Sequence, residues 1–324
     1  MTGPHRSVRG WWCLFLITVL CTRYAVGQGI QTLTRDMEVM NEVDTYHERI
    51  SRTVLNTTDA LDRFFADDRI LEETDRTQVR LTTRIRYEDR EDFTIAMSAS
   101  GRIAMPYFRN RLQLFLDSDT RERDIREGFQ DVPETTEEDK SIFAGLRYVP
   151  QRTTRTRVNI DGGLRWRRGP SPLIRLRARR EWSIEDWSYR VTQTFFWFED
   201  RGFGETTRFD AERRLDDQHF VRLSPSATWS ETSKGVNLRQ TFNIFHIRDE
   251  ETVIAFELEI LGHTRPRINA DNFEGAIRWR QRAFRDWIYY EVAPGIAFRR
   301  DHDFKMSALI TCRLEVLFGE TVYW

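Results

Sequence analysis

Long apolar runs are missing from this sequence beyond residue 21. Mean hydropathy is −0.60 and 31% of residues are charged. A polytopic helical membrane protein is thereby excluded, since each spanning helix needs about 20 consecutive apolar residues. Cysteine is scarce too: Cys13, Cys21 and Cys312 are the full set. Two of them lie in a stretch that reads as a removable leader, so Cys312 alone remains and no intrachain disulfide is expected. No Cys pair, no His-x-x-x-His spacing and no clustered carboxylate pattern points to zinc or calcium. No glycine-rich phosphate loop is present, and Gly202-Phe203-Gly204 reads as a turn. No cofactor is expected. The formal net charge is −1, which with no basic surface patch argues against nucleic acid as a partner.

What is present begins with an export signal. Arg6 and Arg9 precede an apolar run from Trp11 to Cys21, too short to span a bilayer. Ala25-Val26-Gly27 fits a small-x-small cleavage site, which makes Gln28 the expected mature N-terminus. Cys21 follows the bulky Leu20 and is a poor lipidation site. Cleavage removes Arg6, Arg9 and Arg23 and no acid, so the mature chain is more acidic. In residues 28–76, Val39, Val43, Tyr46, Ile50, Val54, Leu61 and Phe64 recur at helical spacings. Three roles stay open for this amphipathic segment: a plug or rim of whatever follows, a docking or oligomerisation surface through residues 35–66, or a helix in a periplasmic linker with no fixed partner for its stripe.

From Val79 onward the period changes to two. Val79, Leu81, Ile85 and Tyr87 alternate with Arg80, Thr82, Arg84 and Arg86. The last such stretch sets Met306, Ala308, Ile310, Cys312, Leu314, Val316 and Phe318 against Ser307, Thr311, Arg313 and Glu315, with Leu309 and Leu317 as exceptions. Period two gives strands with one oily and one polar face. About fourteen strands are expected (12–16), ten to fourteen residues long, against the usual five or six of soluble sheets. Aromatics fall near their ends: Tyr87, Tyr148, Trp166, Trp182, Trp187, Trp197 and Trp229. The longest connections, 118–140 and 265–271, fall on one side of the sheet, and short ones near Pro106, Asp249 and Arg285 on the other. A secreted β-sandwich would also alternate, but not at this strand length.

These features together — leader, amphipathic strands over 79–318, aromatic C-terminus — resemble Gram-negative outer-membrane β-barrel proteins, as a porin-like class and not as one family. The resemblance implies an antiparallel transmembrane barrel over residues 77–324, contact with outer-membrane lipid, and insertion by the barrel-assembly machinery, for which Phe318 or Trp324 would be the terminal aromatic.

If the apolar parity meets lipid, the polar parity lines a lumen. An arginine on the lipid side would cost roughly 2–4 kcal/mol at midplane, so the assignment is firm. Arg80, Arg84, Arg86, Arg157, Arg165, Arg175 and Arg177 then form a positive wall with selectivity for anions. Arg109, Arg111, Arg155 and Arg167 extend it. About the turn at 168–171, Arg165 is expected opposite Arg175 and Asp161 opposite Arg179. A balanced ladder is expected opposite the positive wall: Glu257 and Glu259, Arg278 and Arg280, Glu291, then Arg313. Two readings follow. In one the lumen conducts anions. In the other the acidic loop 118–140 or the acidic N-terminal segment neutralises the wall, leaving a closed structural or assembly barrel. A lipid-modifying enzyme is a third, weaker reading. His219, His263 and His302 lie at turns or strand ends, and a serine–histidine pair such as Ser224 with His219 is possible by position, although nothing in the local pattern singles it out.

Overall fold

In the computed structural model the described residues are Phe64 and 77–319, except 92, 106–110, 119–141, 154, 167–168, 200–201, 234, 284 and 286. The leader, the remainder of the amphipathic segment and loop 118–140 lie outside them, apart from Ser118.

Fourteen antiparallel strands close on themselves in sequence order. They are β1 (Gln78–Glu88), β2 (Thr94–Ala104), β3 (Leu112–Ser118), β4 (Ile142–Arg152), β5 (Thr156–Trp166), β6 (Pro170–Ile184), β7 (Trp187–Phe198), β8 (Gly202–Arg214), β9 (His219–Ser230), β10 (Val236–Ile247), β11 (Thr252–His263), β12 (Asn269–Arg282), β13 (Ile288–Arg299) and β14 (Met306–Gly319). The seam runs from Gln78↔Gly319 to Glu88↔Leu309 between β1 and β14. Closure removes every sheet edge, and hence every unpaired row of backbone donors and acceptors. An even strand number returns β1 and β14 to one end, which we call the termini end.

Alternation sorts the side chains. Met97, Ile174, Trp279, Met306 and Leu314 are among many large apolar residues exposed on the outer surface. Such a continuous belt far exceeds what soluble monomers leave in water, and it fits a hydrocarbon surround. Aromatic pairs border it at both ends. Trp182, Trp187, Tyr189 and Phe209 stack at the termini end, as do Trp287 and Phe318; Trp197 with Phe203 and Phe273 with Phe304 sit at the opposite end. Such rings, apolar with polar tips on Trp and Tyr, settle where hydrocarbon meets headgroups.

Several expectations change. Gly202-Phe203-Gly204 is no turn but the start of a full-length β8, where the sequence pattern was weak. The connection expected at 265–271 shrinks to five residues between His263 and Asn269, because β12 begins earlier than its apolar pattern. Leu309 and Leu317, exceptions to the outward parity, face inward and are buried. Leu317 joins an apolar cluster with Phe220, Phe245, Val253, Ala255 and Tyr289. All lie within a few residues of the termini end. Phe64, 3% exposed, completes that cluster, its ring edge-on to Tyr289 at 5.7 Å. A second inward cluster, Phe115, Phe143, Leu173, Phe196 and Phe198, lies toward the opposite end of β3–β7. There β4 and β5 meet through glycines. A Cβ on Gly145 would stand 2.7 Å from Gly163 Cα and 2.9 Å from Phe115 Cζ.

Candidate functional site: the lumen wall

The inward parity of β1–β7 is strongly basic. Arg80, Arg84, Arg86, Arg102, Arg147, Arg157, Arg165, Arg175, Arg177, Arg179 and Arg190 share it with only Glu88, Asp117, Asp161 and Glu181. On β8–β14 acids and arginines nearly balance. The alternation that hides apolar residues from water on one face leaves only the other for charge.

Most of these side chains are held. Asp161 on β5 lies between Arg147 on β4 and Arg175 on β6. Arg147 donates to both its oxygens at 2.6 Å, and Arg175 donates through Nε and Nη2 at 2.9 and 2.6 Å. Two guanidiniums on one buried carboxylate leave the clamp cationic. Arg157 Nε donates to Asn159 at 3.1 Å, and Arg177 Nε to Thr194 at 3.2 Å. Arg165 sits 5.3 Å over the Phe198 ring, a cation–π arrangement. Arg80 faces Glu315 at 3.5 Å. Arg86 binds Glu88 and reaches Glu274 on β12, at 2.8 and 2.9 Å. Arg84 lies opposite Arg313 in register, a like-charge neighbour at the seam.

The turn at 168–171 differs from expectation. Arg165 opposes Ser171, and Asp161 opposes Arg175. Pro170 already belongs to β6 opposite Trp166, so every pairing between the two strands shifts. Of the four arginines that extended the wall, Arg111 and Arg155 are exposed at the termini-end turns rather than inside. Arg109 and Arg167 lie outside the described residues. Arg147 also belongs to this wall: its parity, between Leu146 and Tyr148, marks it as inward, opposite Asp161.

On the other wall, Arg278 bridges Glu257 and Glu291, both at 3.0 Å. Arg280 lies 3.6 Å from Glu291, 3.2 Å from Glu315 and 4.9 Å over Tyr289. Arg313 meets Glu291 at 3.8 Å. Glu259 turns to Arg239 on β10 instead, at 2.6 Å. The expected ladder had left β10 out.

The Ser224–His219 pairing fails on geometry. Ser224 faces inward and donates to Asp210 at 2.6 Å, while His219 projects from the outer face of β9. Opposite parity puts the sheet between them.

No protein-family model and no curated protein matches this chain. Solved barrels do. The outer-membrane channel DcaP of Acinetobacter baumannii shares 7% identity, TM-score 0.44, over 75% of this chain and 96% of its own. A loop-deletion form of OmpT, an outer-membrane protein of Vibrio cholerae, shares 8%, TM-score 0.43, over 75% and 98%. The KdgM porin in complex with disordered oligogalacturonate shares 12%, TM-score 0.37, over 74% and 99%. The fold rests on the sheet itself, fourteen antiparallel strands closed into a barrel.

Proposed function

We propose that this protein is an outer-membrane channel for small polar or anionic solutes, with its termini end facing the periplasm and its N-terminal segment serving as plug or periplasmic contact. The observation that carries this reading is the uneven lumen. The wall of β1–β7 holds an excess of arginine inside a low-dielectric shell, where a positive field falls off slowly and concentrates anions. Arg84, Arg165 and Arg177 head the residues that would set selectivity, with Arg80, Arg86, Arg157 and Arg175 shaping the field. The balanced lattice of β11–β14 contributes rigidity and little net potential. Passage is passive diffusion, and the barrel acts on no bond of its solute.

Planar-bilayer recordings test this. Full-length mature protein, or protein lacking residues 28–75, should conduct with a reversal potential favouring anions under a salt gradient. Replacing Arg84, Arg165 and Arg177 together by Ala should move that potential toward zero. Absence of conductance in both forms would end the channel reading.

A second reading has an observation of its own. Arg147, Arg165 and Arg280 are almost wholly buried although they face the lumen, and Phe64 packs into the inward apolar cluster at the termini end. A closed barrel that docks a periplasmic partner through residues 35–66 accounts for both. It predicts a co-purifying protein that is lost when that segment is deleted.

A further inference from the structure

Two histidines far apart in sequence meet on the outer face of the barrel, at the termini-end rim. His219 opens β9 and His246 nearly closes β10, and their Cα atoms are register partners. Neighbouring Phe220 and Phe245 point inward, so both imidazoles point outward. Their rings lie 4.8 Å apart, tilted by 31°. His219 Nε2 and His246 Nδ1 are 3.1 Å apart.

The turn between β8 and β9 fixes this arrangement. One oxygen of Asp216 accepts the Gln218 and His219 backbone N–H groups, both at 2.8 Å. Arg214 donates to the Asp216 carbonyl at 3.0 Å and to the Asp217 carboxylate at 2.8 Å. The Ile247 N–H donates to the Gln218 carbonyl at 2.8 Å, tying the turn to β10. Held in this way, the Asp216 carboxylate meets His219 Nδ1 at 2.8 and 2.9 Å. That contact fixes the tautomer: Nδ1 carries the proton, and the Nε2 lone pair faces His246. Without metal, His246 Nδ1–H donates to it.

From this geometry we infer that His219 and His246 form a cross-strand chelate for a divalent transition metal, with Asp216 as the carboxylate that orients His219. Zinc–nitrogen bonds of about 2.0–2.1 Å at a tetrahedral angle place two ligand nitrogens about 3.3 Å apart. The observed 3.1 Å needs only a small adjustment, together with a switch of His246 to its other tautomer. Imidazole pairs select the borderline metals, chiefly Cu²⁺ and Zn²⁺. A carboxylate on the far nitrogen of a ligating histidine raises its basicity and holds its ring. The rim is open to solvent, His219 being 40% exposed, so water supplies the remaining ligands. The donors are strand residues bound across a ladder, which lowers the cost of bringing them together.

The test uses untagged mature protein refolded in detergent, titrated with ZnCl₂ in a calorimeter. One equivalent should bind, and His219→Gln or His246→Gln should each abolish it. Asp216→Asn should weaken it by about 10–100-fold. His263→Gln and His302→Gln should leave it unchanged. In the unmodified chain, Zn²⁺ should protect His219 and His246, but not His263, from imidazole-acylating reagent, which covers any variant that fails to fold. No binding by the wild-type chain, or one equivalent retained in the His219→Gln/His246→Gln double variant, would overturn the site. An Asp216→Asn variant with unchanged affinity would overturn the orienting role.

Discussion

Phe64→Ala is the sharpest perturbation of the lumen. The Phe64 ring is 3% exposed and packs among Phe220, Phe245, Val253, Ala255, Tyr289 and Leu317. Truncating a buried Phe to Ala costs about 3–5 kcal/mol, of which the edge-on contact with Tyr289 supplies about 0.5–1.5 kcal/mol. The barrel wall is built without Phe64, so the loss falls on docking and not on barrel stability. Each 1.4 kcal/mol is tenfold, so a loss of about 3 kcal/mol raises the undocked population roughly a hundredfold. Arg63 immediately precedes Phe64, and trypsin must draw the residue after the cut bond into its cleft, which a docked Phe64 ring opposes. In the regime of fast opening and closing, cleavage tracks the undocked population. Mass spectrometry of the barrel under dilute trypsin should show cleavage after Arg63 about a hundredfold faster in Phe64→Ala than in wild type, with Phe64→Leu in between. Barrel migration on unheated gels should stay the same in all three. Equal rates in wild type and Phe64→Ala would refute the docking argument.

Three further outcomes follow from the geometry. Asp161→Asn leaves Arg147 and Arg175 against a neutral amide in a buried site, and should lower barrel stability in urea refolding by about 3–5 kcal/mol; Asp186→Asn, on an exposed pair with Arg213, should change it by less than about 1 kcal/mol. Gly145→Ala forces a Cβ against Gly163 and Phe115 and should cost about 1–3 kcal/mol by the same measurement. The Gln218 N–H, the His219 ring and the His219 N–H hold the Asp216 carboxyl below the usual aspartate range. Its stabilising contribution is therefore full above the ordinary aspartate pKa and is lost as pH falls through the lower folded value. Acid titration followed by the His219 ring proton resonances should show that step, and Asp216→Asn should remove it.

The fold was legible because its cause is local. Alternation of Val79, Leu81 and Ile85 with Arg80, Thr82 and Arg84, repeated along the chain, fixes which face each side chain takes, whatever the strand pairs with. The approximate strand number, the lipid face and the inward placement of Arg84, Arg165 and Arg177 all descend from that parity. The aromatic belts do as well, since ring position along a strand sets its depth. Pairing is another matter. Register depends on where the strands meet, and the pairing of Pro170 with Trp166 puts Asp161 opposite Arg175 and not Arg179 without altering either parity. Curvature then brings together strands that are not neighbours in the sheet, as with Arg86 and Glu274. The Asp161 clamp, the seat of Phe64 among residues from β9 to β14, and the His219–His246 contact across 27 positions of sequence are decided by closure of the barrel. Parity is a property of each strand alone. These contacts depend on the stagger between strands, which only the closed sheet sets.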